Sequence, residues 1–213
     1  MAGAHGKTAR RLVRMLAEDG HEVRGLVRKA EQMPDVEADG AEPVLVDLEN
    51  EKVEGAVGRA VEGCDAVIFA AGAGAGSGAA RKETMDYGGA VKLIEAAERQ
   101  GVGRYLMLSS MGAGDPEGGS EAMRPYLFAK GRADERLLGS DLDYTIVRPG
   151  GLTEEEGTGR IDAAETLGRR GEISRTDVAR TFALALEAEN TYHKTFVTPY
   201  DTPALTLVAT VVR

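Results

Sequence analysis

A tyrosine and a lysine four residues apart, Tyr126 and Lys130, have the types and spacing best suited to chemistry in this sequence. Side chains at this spacing share one face of an α-helix. An ammonium near a phenol stabilises the phenolate, so such a tyrosine can exchange a proton with an oxygen that undergoes hydride transfer. A predicted strand ends at Ser110, about one loop earlier, and its hydroxyl could hold that oxygen. Alone, the pattern is also typical of a solvated pair on a helix surface.

A glycine-rich loop opens the first predicted helix. The run from Gly3 to Ala9 allows a tight turn in which backbone N–H groups and the helix N-terminus could bind a pyrophosphate. Ala9 stands at the third glycine position, where a small side chain suffices. The sequence therefore predicts a dinucleotide-binding loop, with a plain turn as the alternative, and we expect His5 to contribute backbone rather than imidazole. The predicted loop residues are Gly3, Ala4, His5, Gly6, Lys7 and Thr8.

A nucleoside triphosphatase is a second interpretation of this loop. Gly6, Lys7 and Thr8 match the end of the phosphate-binding pattern G-x-x-x-x-G-K-[ST]. The first glycine of that pattern would fall on Met1, and no acidic residue that could hold Mg²⁺ closes a later strand at a suitable place. We therefore favour a dinucleotide over a triphosphate.

Apolar runs alternate with amphipathic stretches along the chain, which indicates βαβ units and a parallel sheet with helices on both faces. The predicted strands are 21–28, 42–48, 65–71, 104–110, 144–148 and 194–197, and the predicted helices are 8–19, 51–62, 83–100, 125–139 and 176–188. We expect an α/β protein with a Rossmann-like doubly wound parallel sheet, formed by a single domain over residues 1–213. Residues 1–150 would be its dinucleotide-binding core, and 151–213 a small C-terminal segment on the substrate side.

A buried strand should stand directly before the glycine-rich loop, at the centre of the sheet. Only Met1 and Ala2 precede Gly3, so the first strand is apparently truncated. Either the start is wrongly assigned, or another segment fills the position. The apolar and β-branched run 205–212 is the candidate segment.

The ends of the following strands complete the expected cofactor site. Arg28, followed by Lys29, stands where an acidic residue would accept the ribose hydroxyls. A cation there suits a 2′-phosphate, so we expect NADP rather than NAD; a surface arginine at a strand end is the alternative. Asp47 and Leu48 end the next strand, where the adenine edge would lie. The small residues Ala70, Ala71 and Gly72 end the following strand, where they permit close approach of the cofactor.

Composition excludes several classes of function. A net charge of −9 with scattered arginines argues against nucleic-acid binding, and 5% aromatic residues argue against stacking on single strands. Cys64 is the only cysteine, so it supplies neither an internal disulfide nor a metal cluster. No apolar stretch reaches the ~18–20 residues that span a bilayer. We expect a cytoplasmic monomer or weak homodimer that binds a small-molecule substrate, without a metal, nucleic acid or membrane.

Taken in order, the motifs resemble those of the atypical short-chain dehydrogenase/reductases. The most similar group is the small NAD(P)-binding proteins labelled epimerase/dehydratase-like or NmrA-like. The motifs are Gly3-Ala-His-Gly6, Leu26-Val-Arg28, Asp47-Leu48, Ala70-Ala-Gly72, Asp86-Tyr-Gly-Gly89, Leu108-Ser-Ser-Met-Gly112, Tyr126-x-x-x-Lys130 and Val147-Arg-Pro-Gly-Gly-Leu152. The resemblance covers roughly residues 2–197 and implies a Rossmann fold that binds NADP.

The resemblance also implies roles by position. Tyr126 would be the acid/base, Lys130 would hold the nicotinamide ribose and the tyrosine, and Ser110 would hold the substrate oxygen. Asp86 stands where better-studied members carry Asn, and would either order the proton relay through Lys130 or cap a helix. The residues that would lie near the nicotinamide end of the cofactor are Ser109, Pro149, Gly150, Gly151 and Leu152.

The expected function is an oxidoreductase that moves hydride between NADP(H) and a small carbonyl, quinone or flavin-like substrate. The chain after residue 150 is too short for the sugar-binding lobe of nucleotide-sugar epimerases, so an epimerase label would not identify the substrate. Related groups use the same scaffold as a redox sensor without turnover. A non-catalytic NADP(H)-responsive regulatory protein is therefore the alternative.

Overall fold

Strands and helices alternate as the hydrophobic pattern predicts. The computed structural model describes residues 1–50, 52–74, 76–160, 163–164 and 171–198. The strands are β1 (Arg24–Val27), β2 (Glu42–Leu45), β3 (Ala66–Phe69), β4 (Arg104–Leu108), β5 (Asp143–Pro149), β6 (Gly151–Thr153), β7 (Glu172–Ser174) and β8 (Lys194–Thr198). The helices are α1 (Lys7–Glu18), α2 (Met33–Ala38), α3 (Glu54–Val61), α4 (Ala79–Arg81), α5 (Ala90–Gln100), α6 (Arg124–Leu138) and α7 (Arg175–Glu187), and a π-helix, Lys82–Gly89, joins α4 to α5.

Ala2 completes the centre of the main sheet. It forms parallel bridges to Leu26 of β1 and to Phe69 of β3. Its N–H donates to the carbonyl of Ile68 at 2.8 Å, and its carbonyl accepts from the N–H of Ala70 at 3.1 Å. A single residue, Ala2, therefore occupies the central position at which a strand was expected. Residues 205–212, considered for the same position, lie outside the described residues.

The described strands of the main sheet pair in parallel in the order β2, β1, Ala2, β3, β4, β5, β8, and Ala164 adds an antiparallel bridge to Val197 of β8. Neighbouring residues on a strand point to opposite faces. Phe69 and Met107 accordingly pack in the same core as α3, α5 and α6, whereas Ile68 and Leu106 pack with α1 and α7. Helices thus cover both faces, as a doubly wound sheet requires.

Several boundaries differ from the sequence prediction. The strand predicted over 21–28 is shorter, because pairing with β2 begins only at Arg24. The helix predicted over 83–100 begins earlier, at Ala79, and is π-helical over Lys82–Gly89. Helix α2 and the small parallel pair of β6 with β7 were not predicted. Ser174 is the N-cap of α7, since its hydroxyl accepts from the N–H of Asp177 at 3.0 Å.

Candidate functional site

A cleft opens at the carboxyl ends of the strands on either side of Ala2. Ligands of open α/β sheets bind at this edge, where the strand order reverses. The cleft is lined by Gly3, His5, Gly6, Leu26, Val27, Arg28, Gln32, Val46, Asp47, Leu48, Ala70, Ala71, Gly72, Ala73, Gly74, Arg81 and Met85. Those predicted as cofactor residues are Gly3, His5, Gly6, Arg28, Asp47, Leu48, Ala70, Ala71 and Gly72.

The glycine-rich loop presents backbone to this cleft. Gly3 has a φ of +75°, and a Cβ added to it would lie 2.6 Å from Cα of Ala71, so only glycine fits here. The N–H of Gly6 closes the turn by donating to the carbonyl of Gly3 at 2.8 Å. Among the described residues, no side chain caps the start of α1, and its first turn carries no acid. The N–H groups there suit an anion.

The side chains of the loop have other partners. Lys7 Nζ donates to Glu154 at 2.8 Å, and the imidazole of His5 lies 2.8 Å from Asp35. Thr8 and Ala4 are buried, and the Thr8 hydroxyl accepts from Arg175 at 3.4 Å. Of the predicted loop residues, Gly3, His5 and Gly6 therefore line the cleft, whereas Ala4, Lys7 and Thr8 are not among its lining residues.

A cluster of charges lies at the predicted ribose end of the cleft. Arg28 Nη1 is 3.9 Å from Glu49, and Arg81 Nη2 is 2.6 Å from the same carboxylate. The Thr84 hydroxyl donates to Glu49 at 2.8 Å. Sequence reasoning missed Arg81, because it belongs to a helix far along the chain from Arg28. No local motif signals their proximity.

A second group of side chains lies beside the cleft, around Lys130. This lysine is 3% exposed and donates from Nζ to the carbonyl of Leu108 at 2.9 Å. Asp86 is fully buried in the π-helix, and its Oδ2 accepts from the N–H of Ala73 at 3.3 Å. Because Ala73 lines the cleft, Asp86 connects Lys130 to the cofactor side of the sheet edge.

Tyr126 lies over this group, half-buried at the start of α6. Lys130 Nζ is 6.0 Å from the centroid of its ring. A second lysine, Lys82, lies 5.1 Å from the same centroid and donates to the carbonyl of Gly74 at 2.8 Å. The structure thus brings Tyr126, Lys130 and Asp86 together, and adds Lys82, which sequence reasoning missed.

The two predicted serines have different surroundings. Ser109 is buried and donates to Asp134 at 2.7 Å, and Asp134 also accepts from Arg148 at 2.9 Å. Burial raises the pKa of Asp134, against the opposing effect of Arg148. Ser110 is half-buried, and its hydroxyl donates to the carbonyl of Met111 at 3.2 Å. The Ser109 side chain therefore serves the buried hydrogen-bond network of Asp134. The Ser110 hydroxyl instead makes a long hydrogen bond to the neighbouring residue.

The segment after β5 packs tightly beside the end of β4. The N–H of Met111 donates to the carbonyl of Pro149 at 2.9 Å. A Cβ on Gly150 would lie 2.1 Å from the carbonyl oxygen of Gly171. Gly151 and Leu152 belong to β6. These four predicted residues therefore lie at the sheet edge next to Ser109.

The other two histidines and the cysteine do not line the cleft. Within the described residues, no group of three or more His, Cys, Asp or Glu side chains could hold a metal ion. The imidazoles of His21 and His193 lie 3.7 Å from Glu187 and 3.2 Å from Asp143. Cys64 is half-buried. None of the helices in the described part of the chain has the length and apolarity needed to cross a membrane.

Comparisons with known proteins agree with this geometry. A family model described as NAD(P)H-binding matches residues 3–189. A Bacillus subtilis protein described as an uncharacterized sugar epimerase is 44% identical over 205 residues, covering 95% of this chain and 94% of that protein.

Two solved structures are similar over nearly the whole chain. An oxidoreductase from Lactococcus lactis superimposes with a TM-score of 0.81 at 30% identity, covering 96% of this chain and 93% of that one. An anaerobilin reductase from Escherichia coli superimposes with a TM-score of 0.80 at 26% identity, covering 95% and 98%. The fold is therefore a Rossmann-type fold shared with reductases.

Proposed function

Because this chain belongs to the NAD(P)H-binding family, we propose that it is an NADP(H)-dependent oxidoreductase acting on a small carbonyl, quinone or flavin-like substrate. One observation carries the proposal: the phenol ring of Tyr126 lies beside the ammonium of the buried Lys130, at the sheet edge where the cleft opens. NADPH supplies the hydride when bound. The protein supplies the proton.

Tyr126 donates its phenolic proton to the substrate oxygen as that oxygen gains negative charge. The ammonium of Lys130 stabilises the phenolate that remains, and its nearly complete burial strengthens this attraction. Ser110, in the loop after β4, donates a hydrogen bond to the same oxygen. Asp86 acts as a positioning residue, because its carboxylate lies 3.7 Å from the Lys130 ammonium and is fully buried.

The cleft fits a dinucleotide on two independent observations. The close approach of Gly3 to Ala71 leaves a cradle of backbone N–H groups at the uncapped start of α1, which would hold the pyrophosphate. The guanidinium groups of Arg28 and Arg81 flank Glu49 at the ribose end and would hold a 2′-phosphate. Two cations against one carboxylate favour NADP over NAD.

Relatives support the redox class of the reaction. The similar structures include one described as an oxidoreductase and one described as a reductase.

The test is turnover of NADPH by wild type and Tyr126→Phe with menadione, flavin mononucleotide and 4-carboxybenzaldehyde as acceptors. We expect Tyr126→Phe to lower kcat by about 10²- to 10⁴-fold, the usual contribution of a positioned proton donor. Its NADPH Kd, measured by nicotinamide fluorescence, should stay within twofold of wild type.

Tyr192→Phe is the matched control. It removes a phenolic hydroxyl next to Arg104, near the opposite end of the sheet, and leaves its ring in place. If the protein binds NADPH but turns over none of the acceptors, and Tyr126→Phe has no effect, we would conclude that it is a cofactor-responsive regulatory protein and not an enzyme.

A further inference from the structure

Lys82 is a cation at the candidate site that has no carboxylate partner in the described part of the chain. Its neighbours on the π-helix and α4 are matched: Arg81 pairs with Glu49 at 2.6 Å, and Glu83 pairs with Arg132 at 2.6 Å. Among the described residues, no carboxylate lies within 4.0 Å of Lys82 Nζ. This Nζ donates a hydrogen bond to the carbonyl of Gly74. Lys82 is half-buried as a residue, but the hydrogen bond of its ammonium to Gly74 is exposed, so an anion from outside the chain can reach this charge.

The position of Lys82 connects it to both parts of the site. Its Nζ is 2.8 Å from the carbonyl of Gly74, which lines the cleft, and 5.1 Å from the ring centroid of Tyr126. An ammonium carries three N–H donors, and Gly74 takes one of them. Within the described residues, the Lys82 ammonium therefore has N–H donors without a hydrogen-bond partner, and it lies close to the Tyr126 ring.

We infer that Lys82 binds a carboxylate of the substrate, so that the natural acceptor is an anionic carbonyl or quinone rather than a neutral one. The inference rests on the proposed function, because it places the reacting oxygen at Tyr126. A net charge of −9 repels anions from the protein as a whole, so an acidic substrate needs a local cation to be retained. A charge-assisted hydrogen bond from Lys82 would also fix the end of the substrate remote from the reacting oxygen.

The experiment compares two acceptors that differ in one charge. 4-Carboxybenzaldehyde and methyl 4-formylbenzoate carry the same aldehyde, but only the first carries a carboxylate. For wild type, Lys82→Met, Lys82→Arg and Lys194→Met, we would measure kcat/KM with NADPH. The affinity of each NADP⁺-saturated protein for both probes would be measured by calorimetry. Lys194 is an exposed lysine at the amino end of β8, remote from the strand ends that form the cleft.

Wild type should prefer the carboxylate probe by about tenfold or more, the size of one charge-assisted hydrogen bond. Lys82→Met should abolish this preference by weakening the carboxylate probe alone. Lys82→Arg should keep most of it, and Lys194→Met should behave as wild type. Equal binding of the two probes by wild type, binding of neither, or an unchanged preference in Lys82→Met would overturn the inference.

Two further outcomes separate the possible failures. If Lys82→Met weakens NADPH binding as much as it weakens the carboxylate probe, Lys82 serves the cofactor and the inference is wrong. If calorimetry shows the charge preference and its dependence on Lys82 while no acceptor is reduced, the inference stands as a binding site and the proposed oxidoreductase activity falls.

Discussion

Lys130 Nζ lies 3.7 Å from Oδ1 of Asp86, close enough for an ion pair but longer than a hydrogen bond. The ammonium instead donates to the carbonyl of Leu108, and Oδ1 of Asp86 has no hydrogen-bond partner within the described residues. The two charges are thus held apart in a nearly water-free space, where an uncompensated charge is costly.

Replacing Asp86 by Asn should therefore destabilise the protein, because it leaves the Lys130 ammonium without its buried counter-charge. We expect a loss of about 3 kcal/mol in the free energy of unfolding, measured by urea denaturation. The double variant with Lys130→Met should recover part of this loss, since it removes the orphaned charge. Additive effects of the two single substitutions would show that the pair is not coupled.

Arg28→Ala should raise the Kd for NADPH by about 10- to 100-fold, which corresponds to one lost charge-assisted contact. The Kd for NADH should stay within twofold, because NADH has no 2′-phosphate. Lys29→Ala is the matched control, since the Lys29 ammonium already pairs with Glu31 at 3.2 Å. Equal losses for both cofactors would assign Arg28 a general role in the cleft.

Gly3→Ala should lower both stability and cofactor affinity. Gly20→Ala separates backbone strain from crowding, because Gly20 also has a positive φ, +89°, but has no atom within 4 Å of an added Cβ. We expect Gly20→Ala to cost about 1 kcal/mol from strain alone. Gly3→Ala should cost about 2 kcal/mol more from the clash with Ala71. Thermal and urea denaturation would measure both, and equal costs would contradict the close approach.

The Asp39 carboxylate should give a pH-dependent contribution to stability. Burial raises its pKa, but hydrogen bonds from Arg10 and Arg14 outweigh this effect and leave the pKa below its ordinary 3.8. A depressed folded pKa means that the contribution is full above the unfolded pKa and is lost as the pH falls through the folded one.

Asp39→Asn should accordingly lower the free energy of unfolding by about 1–3 kcal/mol at pH 7. The difference from wild type should shrink as the pH falls below 3.8, the ordinary Asp value. Asp141→Asn, at an exposed position, is the control and should have little effect at any pH. A difference that stays constant down to pH 3 would show that packing rather than charge accounts for the loss.

The elements in which several apolar residues follow a regular pattern could be predicted from the sequence. The run ending at Phe69 and the helix around Leu12 each bury a regular pattern of apolar residues, so their type and position followed directly. Ala2 could not be placed in this way, because one residue shows no period. Its role is fixed by hydrogen bonds to β1 and β3, which are tertiary.

In the site, too, local patterns could be predicted and tertiary contacts could not. Residues that follow their own strand, such as Arg28 and Gly72, could be placed because parallel strands end at one edge. Arg81 and Lys82 could not, since nothing local to their helix shows which strand ends they approach. The types of the loop side chains were a poor guide to the cofactor site for a related reason. Lys7 has the type of a phosphate ligand, but a partner far along the chain, Glu154, draws it away.

The π-helix Lys82–Gly89 makes this part of the protein sensitive to chain length as well as to residue type. A π-helical turn holds more residues than an α-helical one, because its hydrogen bonds span five residues instead of four. Deleting one residue inside it would let a single α-helix run from Ala79 to Gln100. The residues before the deletion would then rotate by about 100° relative to those after it. Among homologous sequences, a one-residue gap in this segment would therefore mark proteins whose site is built differently, whatever their residues at the other motifs.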